Sequence, residues 1–243
     1  MQYGPEHAEF YDAVFESRGK DFSGEAAALA ALIRQHRPQA RSLLDVACGT
    51  GAHLAAFANL FDDVEGIEYA PAMAAVARDR LPDVPIHAGD MRDFDLGRTF
   101  DALTCVGNSV GCMDDRKELT AAIARMAAHV VPGGVLVVEP WWFPSNFTDG
   151  HVGGHVLKED GRVVSRLTRS VRDGDKTRHE VRFTVADASG FRDFSEVLVV
   201  SLFDQEDYED AFAAADCSVR LVGGLQLADG RPNSPGLFVA VRR

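Results

Sequence analysis

The stretch with the clearest chemical pattern is LLDVACGTGAHL at residues 43–54, where a short apolar run leads into two glycines. Gly49 and Gly51 allow the chain to turn sharply and allow a ligand to lie against bare backbone. The dinucleotide-binding fingerprint has a third glycine where this chain has Leu54, and a bulky side chain there opposes the close packing that the fingerprint needs. An NAD-dependent enzyme therefore remains only as an alternative, against which Leu54 counts.

Three acidic side chains follow at places where strands are expected to end. Asp45 precedes the glycines and can attract an ammonium group, while Glu68 can accept two hydrogen bonds from ribose hydroxyls. Asp90 can accept from an exocyclic amine, and Met91 can pack on a purine face. Each residue alone also has a structural explanation, as a turn, a solvated strand end or a helix cap. Together, and without a phosphate-binding lysine, they indicate a nucleoside with a cationic centre and an amino-acid tail, which describes S-adenosylmethionine (SAM).

The elements that position these residues alternate between short apolar runs and helical patterns. Strands are predicted at 42–46, 64–68, 84–88, 102–106 and 135–139, and helices at 23–37, 52–59, 71–80 and 118–128. Ser23 is the expected cap of the first of these helices. Such alternation predicts an α/β fold with a doubly wound, mostly parallel sheet.

The pattern changes after Glu139. An aromatic run, WWFP, is followed by period-2 segments at 163–171, 178–185 and 191–202, which predict an antiparallel meander. A helix at 205–215 and strands at 219–222 and 237–241 then complete a seven-stranded sheet. We therefore expect residues 1–140 and 203–243 to form a SAM-binding α/β core with an N-terminal cap segment, and residues 141–202 to form a small antiparallel β insert.

Composition excludes several classes of protein. The chain carries 37 acidic and 25 basic side chains and a net charge of −12, which argues against a nucleic-acid partner. The longest apolar runs, such as 135–138, fall far short of the roughly twenty residues that span a bilayer, and the first residues do not have the pattern of a signal peptide. The cysteines and histidines show no metal-ligand spacing. We expect a cytoplasmic enzyme of small molecules without a metal.

Several motifs together carry a narrower resemblance. They are LLDVACGTGAHL, HAGDMRDFDLGR, EPWWFP, the early RGKD and the late PGLFV. In this order they resemble the bacterial N,N-dimethyltransferases of dTDP-3-amino-3,6-dideoxyhexoses in macrolide antibiotic pathways, such as those leading to desosamine and mycaminose. The motif LLDVACGTG is specific only to the class I methyltransferases as a whole, whereas DMRDF together with EPWWFP is specific to a much smaller group of them. The resemblance implies the class I methyltransferase fold, SAM as cofactor, a dTDP-linked amino-deoxysugar as substrate, an insert that covers the active site, and a homodimer.

Residues expected to bind the cofactor match the family's pattern better than residues expected to bind the acceptor. Tyr3 and Tyr11 match aromatic positions of the N-terminal segment that closes over cofactor and acceptor in that family. Cys112 replaces a His or Tyr that lies next to the amine, and Ser145 replaces an acid. Pro235 replaces an arginine that is a plausible pyrophosphate ligand.

Methyl transfer from a sulfonium is an in-line displacement that needs a neutral, aligned amine, so the site needs a desolvated mouth or a modest base. The expected catalytic residues are Tyr11, Tyr3 and Cys112, of which Cys112 is expected to fill space while water takes the proton. The expected cofactor contacts are Tyr11, Asp45, Ala47, Gly49, Gly51, Glu68, Tyr69, Asp90, Met91, Arg92 and Asn108. The expected substrate contacts are Tyr3, Ser109, Trp141, Trp142, Arg166, Arg178 and Arg231.

Two of these groups have open alternatives. Trp141 and Trp142 can stabilise the transferring cationic group, but core packing explains one of them equally well. Arg166 and Arg178 belong to a basic cluster on neighbouring predicted strands, which either meets a diphosphate or forms a salt-bridged face, and Arg231 is a substitute for the arginine missing at 235. Another small natural-product acceptor, methylated on nitrogen or oxygen, and a SAM-binding protein without activity remain as further alternatives.

Overall fold

A sheet of seven strands, in the order β10-β11-β5-β4-β1-β2-β3, forms the centre of the computed structural model, which describes residues 4–243. In chain order the elements are α1 Pro5–Ser17, α2 Phe22–His36, β1 Ser42–Val46, α3 Ala52–Phe57, β2 Asp63–Glu68, α4 Pro71–Arg80, β3 Ile86–Ala88, β4 Phe100–Cys105, a 3-10 helix at Ser109–Cys112, α5 Arg116–Ala128, β5 Val130–Val138, β6 His151–Glu159, β7 Arg162–Asp173, β8 Lys176–Asp187, β9 Gly190–Ser201, α6 Gln205–Ala214, β10 Cys217–Val222 and β11 Leu237–Arg242.

The first five strands pair in parallel, and β11 runs antiparallel to both β5 and β10. Helices cover both faces of the sheet, so its central strands are apolar on both sides. The apolar core on one face of the sheet contains Leu119 of α5 and Phe212 of α6, and the core on the other face contains Leu29 of α2 and Phe57 of α3. The predicted doubly wound, seven-stranded α/β fold is confirmed.

The strands β6 to β9 form a separate four-stranded antiparallel sheet, here called the insert sheet. It lies within the predicted insert, but it contains one strand more than the predicted meander, because β6 pairs with β7 along nine residue pairs. Helix α1, for which no helix was predicted, packs on one face of this sheet through Phe10 and Val14. The cap segment is thus a helix whose apolar side depends on the insert sheet.

Smaller differences concern element ends. Helix α2 begins at Phe22 and is capped by Asp21, whose side chain accepts a hydrogen bond from the Gly24 amide at 2.9 Å, so the predicted Ser23 cap is wrong. Strand β5 begins at Val130, before the predicted 135, and β3 contains only Ile86–Ala88. Within residues 4–243, no helix has both the length and the apolar character to cross a membrane.

Candidate active site

A cavity of about 1000 Å³ lies at the carboxyl edge of the parallel strands. Its walls come from the loops after β1 to β5, from α1, from the insert sheet and from the loop at 223–236. Open α/β sheets bind ligands at this edge. The cavity contains all but three of the predicted site residues: Gly51 and Arg178 do not line it, and Tyr3 lies outside the described residues.

The turn after β1 requires a left-handed backbone at three positions. Ala47, Gly49 and Gly51 have φ values of 59°, 59° and 76°. A Cβ on Gly49 would meet no atom within 4 Å, which leaves open space beside a residue that lines the cavity. A Cβ on Gly51 would lie 3.2 Å from the Cβ of Ala77 in α4. Gly49 therefore provides room for a ligand, whereas Gly51 turns the chain into α3 and allows α4 to approach.

Glu68 is buried at the end of β2, and backbone amides orient its carboxylate. Oε2 accepts from the Gly49 amide at 2.8 Å, and Oε1 accepts from the Ala70 amide at 2.7 Å. Burial nevertheless raises the pKa of this carboxyl above its ordinary value. Each oxygen has two acceptor sites, so the carboxylate can also receive ribose hydroxyls.

Asp45 is buried at the end of β1, where Thr104 Oγ1 donates a hydrogen bond to it at 2.7 Å. Burial raises the pKa of Asp45 from 3.8 to about 6. Because an adjacent cation favours the charged carboxylate, this site is suited to an ammonium group.

Asp90 and Arg92, both predicted to contact the cofactor, contact each other. Arg92 Nε donates to Asp90 Oδ1 at 2.9 Å, and its Nη1 donates to Glu118 Oε1 at 2.7 Å. The hydrogen bond from Arg92 lowers the pKa of Asp90, which stays ionised. Met91 lies between these two residues on the cavity wall.

The sequence patterns did not indicate a buried ionic cluster beside Asp45. Lys20 Nζ and His53 Nε2 each lie 2.7 Å from Glu25 Oε2, and both Lys20 and His53 line the cavity. Burial raises the pKa of Glu25, but His53 and Lys20 more than offset it, so the net pKa is lowered. Lys20 lies in the turn before α2, Glu25 lies on α2 and His53 lies on α3. The RGKD motif includes Lys20, but no sequence pattern joined the three residues.

The acceptor side contains the 3-10 helix and the two tryptophans. Asn108, Ser109, Cys112, Trp141 and Trp142 line this side of the cavity. Burial raises the pKa of the Cys112 thiol to about 11. The thiol therefore keeps its proton at neutral pH, so Cys112 does not act as a base.

Tyr11 projects from α1 between the two sides. Burial, followed by the charge of Asp12, raises the pKa of its phenol well above the ordinary value, so Tyr11 can donate a hydrogen bond but does not act as a phenolate. The helix is attached to β9 through Glu196, which pairs with His7 Nδ1 and accepts from the Gly4 amide at 2.9 Å. Sequence analysis gave His7 no specific contact, because its partner is 189 residues away.

The predicted pair of substrate-binding arginines is separated by the sheet. In an antiparallel sheet, directly opposite residues share a face, and faces alternate along each strand. Arg166 is opposite Phe183, which is an odd number of residues from Arg178, so the two arginines point to different faces. Arg166 is buried in the cavity wall, whereas Arg178 is exposed and donates to Glu180 Oε1 at 2.9 Å. Arg178 therefore lies outside the cavity, apart from the other described residues that are predicted to meet the substrate.

Comparison with known proteins assigns the chain to a family. The family model described as "Methyltransferase domain" matches residues 43–134. The chain is 50% identical over 240 residues to dTDP-3-amino-3,4,6-trideoxy-alpha-D-glucopyranose N,N-dimethyltransferase of Streptomyces venezuelae, covering 98% of this chain and 99% of that protein. The chain belongs to the nucleotide-sugar N,N-dimethyltransferase family. It is also 46% identical to dTDP-4-amino-2,3,4,6-tetradeoxy-D-glucose N,N-dimethyltransferase of Saccharopolyspora spinosa, covering 99% and 94% of the two chains.

Solved structures agree with this assignment. DesVI of Streptomyces venezuelae has a TM-score of 0.92 and 50% identity, covering 99% of this chain and 100% of that one. CalS10 of Micromonospora echinaspora, an amino pentose methyltransferase solved with bound SAM, has a TM-score of 0.87 and 54% identity, covering 96% of each chain. The enzyme is therefore a class I SAM-dependent methyltransferase, and the predicted fold, family and cofactor are confirmed. The open space at Gly49 and the buried carboxylates of Asp45 and Glu68 fit that cofactor.

Proposed function

We propose that this enzyme transfers methyl groups to the amine of a dTDP-linked amino-deoxysugar in antibiotic biosynthesis. The observation that carries the proposal is that one cavity joins the acidic rim of the parallel strands to a wall that contains Arg166 and Arg231. By their names, the relative from Streptomyces venezuelae acts on a 3-amino sugar and the relative from Saccharopolyspora spinosa acts on a 4-amino sugar. We therefore propose an amine at one of these two positions.

SAM, when bound, supplies the electrophilic methyl group. The side chains of Asp45 and Glu68 would hold its ammonium group and its ribose, with Tyr69 and Met91 beside the base. Trp141 and Trp142 would present ring faces to the amine and exclude water around it. Because Tyr11 and Cys112 keep their protons, we assign removal of the ammonium proton to solvent and a hydrogen-bonding role to these two groups.

Product analysis by mass spectrometry tests this function. The purified enzyme is incubated with SAM and a panel of dTDP-3-amino and dTDP-4-amino sugars. We expect one or two added methyl groups on one panel member, and a slower addition by the Glu68→Gln variant at limiting SAM. No addition to any member, with SAM binding intact, would contradict the proposal. It would favour another small natural-product acceptor, which the changes at Cys112, Ser145 and Pro235 also suggest.

We also propose that the enzyme is a homodimer that uses the outer face of the insert sheet. Seven of its large apolar side chains are exposed, and Phe191 is 81% exposed. They are Val152, Val156, Val163, Leu167, Phe191, Val197 and Val199. Glu180 lies among Arg169, Arg178 and Arg182 on the same face, so the face carries both signs of charge and can be complementary to a second copy of itself. We also propose a cytoplasmic location, because nucleotide sugars and SAM are supplied there.

Light scattering after size-exclusion chromatography tests the homodimer. We expect a dimer for the wild-type enzyme and a monomer for the double variant Leu167→Asp with Phe191→Asp. A charge reversal away from the insert sheet, such as Glu206→Lys on α6, is the control and should remain dimeric. A monomeric wild-type enzyme would contradict the proposal.

A further inference from the structure

One end of the cavity is basic although the protein as a whole has a net charge of −12. Arg18, Arg166 and Arg231 line this end. Arg166 and Arg231 are among the expected substrate contacts, whereas Arg18 is not. Asp229 pairs with Arg231 at 2.6 Å, but three guanidinium groups meet here, so this end of the cavity is suited to an anionic ligand.

Arg18 and Arg166 stack on the same aromatic ring. The guanidinium carbon of Arg18 lies 5.3 Å from the centroid of Phe15, and that of Arg166 lies 5.7 Å from the same centroid. A guanidinium that stacks on an aromatic face keeps its charge and its in-plane N–H donors. Phe15, which also lines the cavity, is therefore a platform that holds two cations close to one ring.

Nearby acids do not neutralise Arg18. No carboxylate of residues 4–243 lies within ion-pair distance of it, although Arg80, Arg92 and Arg98 each have such a partner. Two histidines reflect the resulting positive field. Burial, and then the charges of Arg166 and Arg18, lower the pKa of His179 to about 4. The pKa of His155 is also lowered, by burial and by the same two arginines.

The backbone near Arg18 is held on the acceptor side of the cavity. Ser17 Oγ lies 2.8 Å from His155 Nε2 of β6, and the Gly19 carbonyl accepts from the Ala228 amide at 2.8 Å. Arg18 therefore lies where α1, the insert sheet and the loop containing Arg231 meet. Lys20 belongs instead to the cluster with Glu25 and His53 beside Asp45. The two cations of the RGKD motif thus belong to different ends of the cavity.

We propose that Arg18, together with Arg166 and Arg231, binds the diphosphate of the substrate, a role that rests on the proposed function with a nucleotide-linked sugar. Guanidinium groups bind phosphate oxygens in pairs, with two parallel N–H···O bonds, so they fix direction as well as charge. The diphosphate would lie over the Phe15 platform, and the amino sugar would extend from it toward Trp141 and Cys112. In this arrangement Arg18 is a substrate-binding residue, without a part in SAM binding.

Calorimetric titration of the full-length enzyme with dTDP, and separately with SAM, tests this assignment. We expect Arg18→Ala to weaken dTDP binding tenfold or more and to change SAM binding less than twofold. Arg18→Lys keeps a cation at the end of α1, and with it the favourable interaction with the helix dipole, but loses the paired bonds. We expect it to fold normally and to weaken dTDP binding by a smaller factor. Arg178→Ala, which removes the same charge from the opposite face of the insert sheet, should leave both affinities unchanged.

Three results would overturn the assignment, and they are distinguishable. Wild-type affinity for dTDP in Arg18→Ala would show that Arg18 does not meet the diphosphate, while the proposed function stands. An equal loss of dTDP and SAM binding in Arg18→Ala would show that Arg18 supports the cavity as a whole. A wild-type enzyme that binds SAM but not dTDP would remove the nucleotide-linked substrate together with this subsite.

Discussion

The cofactor side and the acceptor side of the cavity are built from different kinds of chain segments. The cofactor side comes from loops that directly follow β1, β2 and β3, and the sheet itself aligns their residues. The acceptor side comes from α1, the 3-10 helix, the insert sheet and the loop at 223–236, which are far apart in the chain. Residues at adjacent strand ends are positioned by the pairing of strands within one sheet. Residues on distant segments are positioned only by how those segments pack together.

The two sides also differ in how their charged groups are satisfied. Backbone amides hold Glu68, and a hydroxyl holds Asp45, so these acids remain open to a cationic ligand. On the acceptor side, Arg18 and Arg166 lie on an aromatic ring and are suited to an anion. If each end of the cavity binds its own ligand, as we propose, the two affinities should respond to separate substitutions.

The largest expected effect concerns Glu68. Glu68→Ala removes the acceptor for ribose hydroxyls and leaves the Gly49 and Ala70 amides without a side-chain partner, so SAM affinity should fall between tenfold and about a hundredfold. Affinity for dTDP should change little. Titration calorimetry measures both, and Glu206→Ala on α6 is the charge-matched control. Unchanged SAM binding would show that Glu68 is only a structural acid at the end of β2.

The next effect is a pH dependence. Asp45, with a pKa near 6 instead of 3.8, takes up a proton as the pH falls through 6, and a neutral carboxyl no longer attracts the ammonium group. SAM affinity should be constant above this pH and should fall by about tenfold per pH unit below it. The Asp45→Asn variant should bind SAM weakly and without this pH dependence. A wild-type affinity that is equal at pH 7 and pH 5 would contradict the prediction.

A smaller effect is expected where the core and the insert sheet meet. A Cβ on Gly111 would lie 2.8 Å from both Trp141 Cβ and Val200 Cγ1, so Gly111→Ala must displace the tryptophan or β9. Overpacking of this kind costs about 1–3 kcal/mol, and we expect kcat/KM for the amine to fall about fivefold while SAM affinity stays within twofold. Steady-state kinetics and calorimetry test this. Gly223→Ala, whose added Cβ meets nothing within 4 Å, is the control. Equal losses for amine and SAM would show that the two sides are not independent.

Residues on the cofactor side could be predicted because their signals are local. Asp45 and Glu68 stand directly at the ends of apolar runs, and parallel strands bring such ends to one edge. The fold class follows in the same way from the alternation of strands and helices. The order of motifs, from the glycine turn to EPWWFP, was enough for the family and the cofactor. Short-range patterns determine the strands, helices and strand ends because each depends on the hydrogen bonding and burial of one element at a time, whereas the family follows from the resemblance of the motifs.

Only the tertiary structure decided the acceptor side and the buried ionic cluster beside Asp45. Whether Arg166 or Arg178 faces the cavity depends on the register of β7 against β8, because a shift of one residue exchanges the faces of a strand. The Lys20, Glu25 and His53 cluster and the pairing of His7 with Glu196 join residues that no spacing connects. The position of Arg18 likewise results from the packing of α1 on the insert sheet. Long-range contacts form only when separate elements pack, so the spacing of residues along the chain does not show which residues will meet.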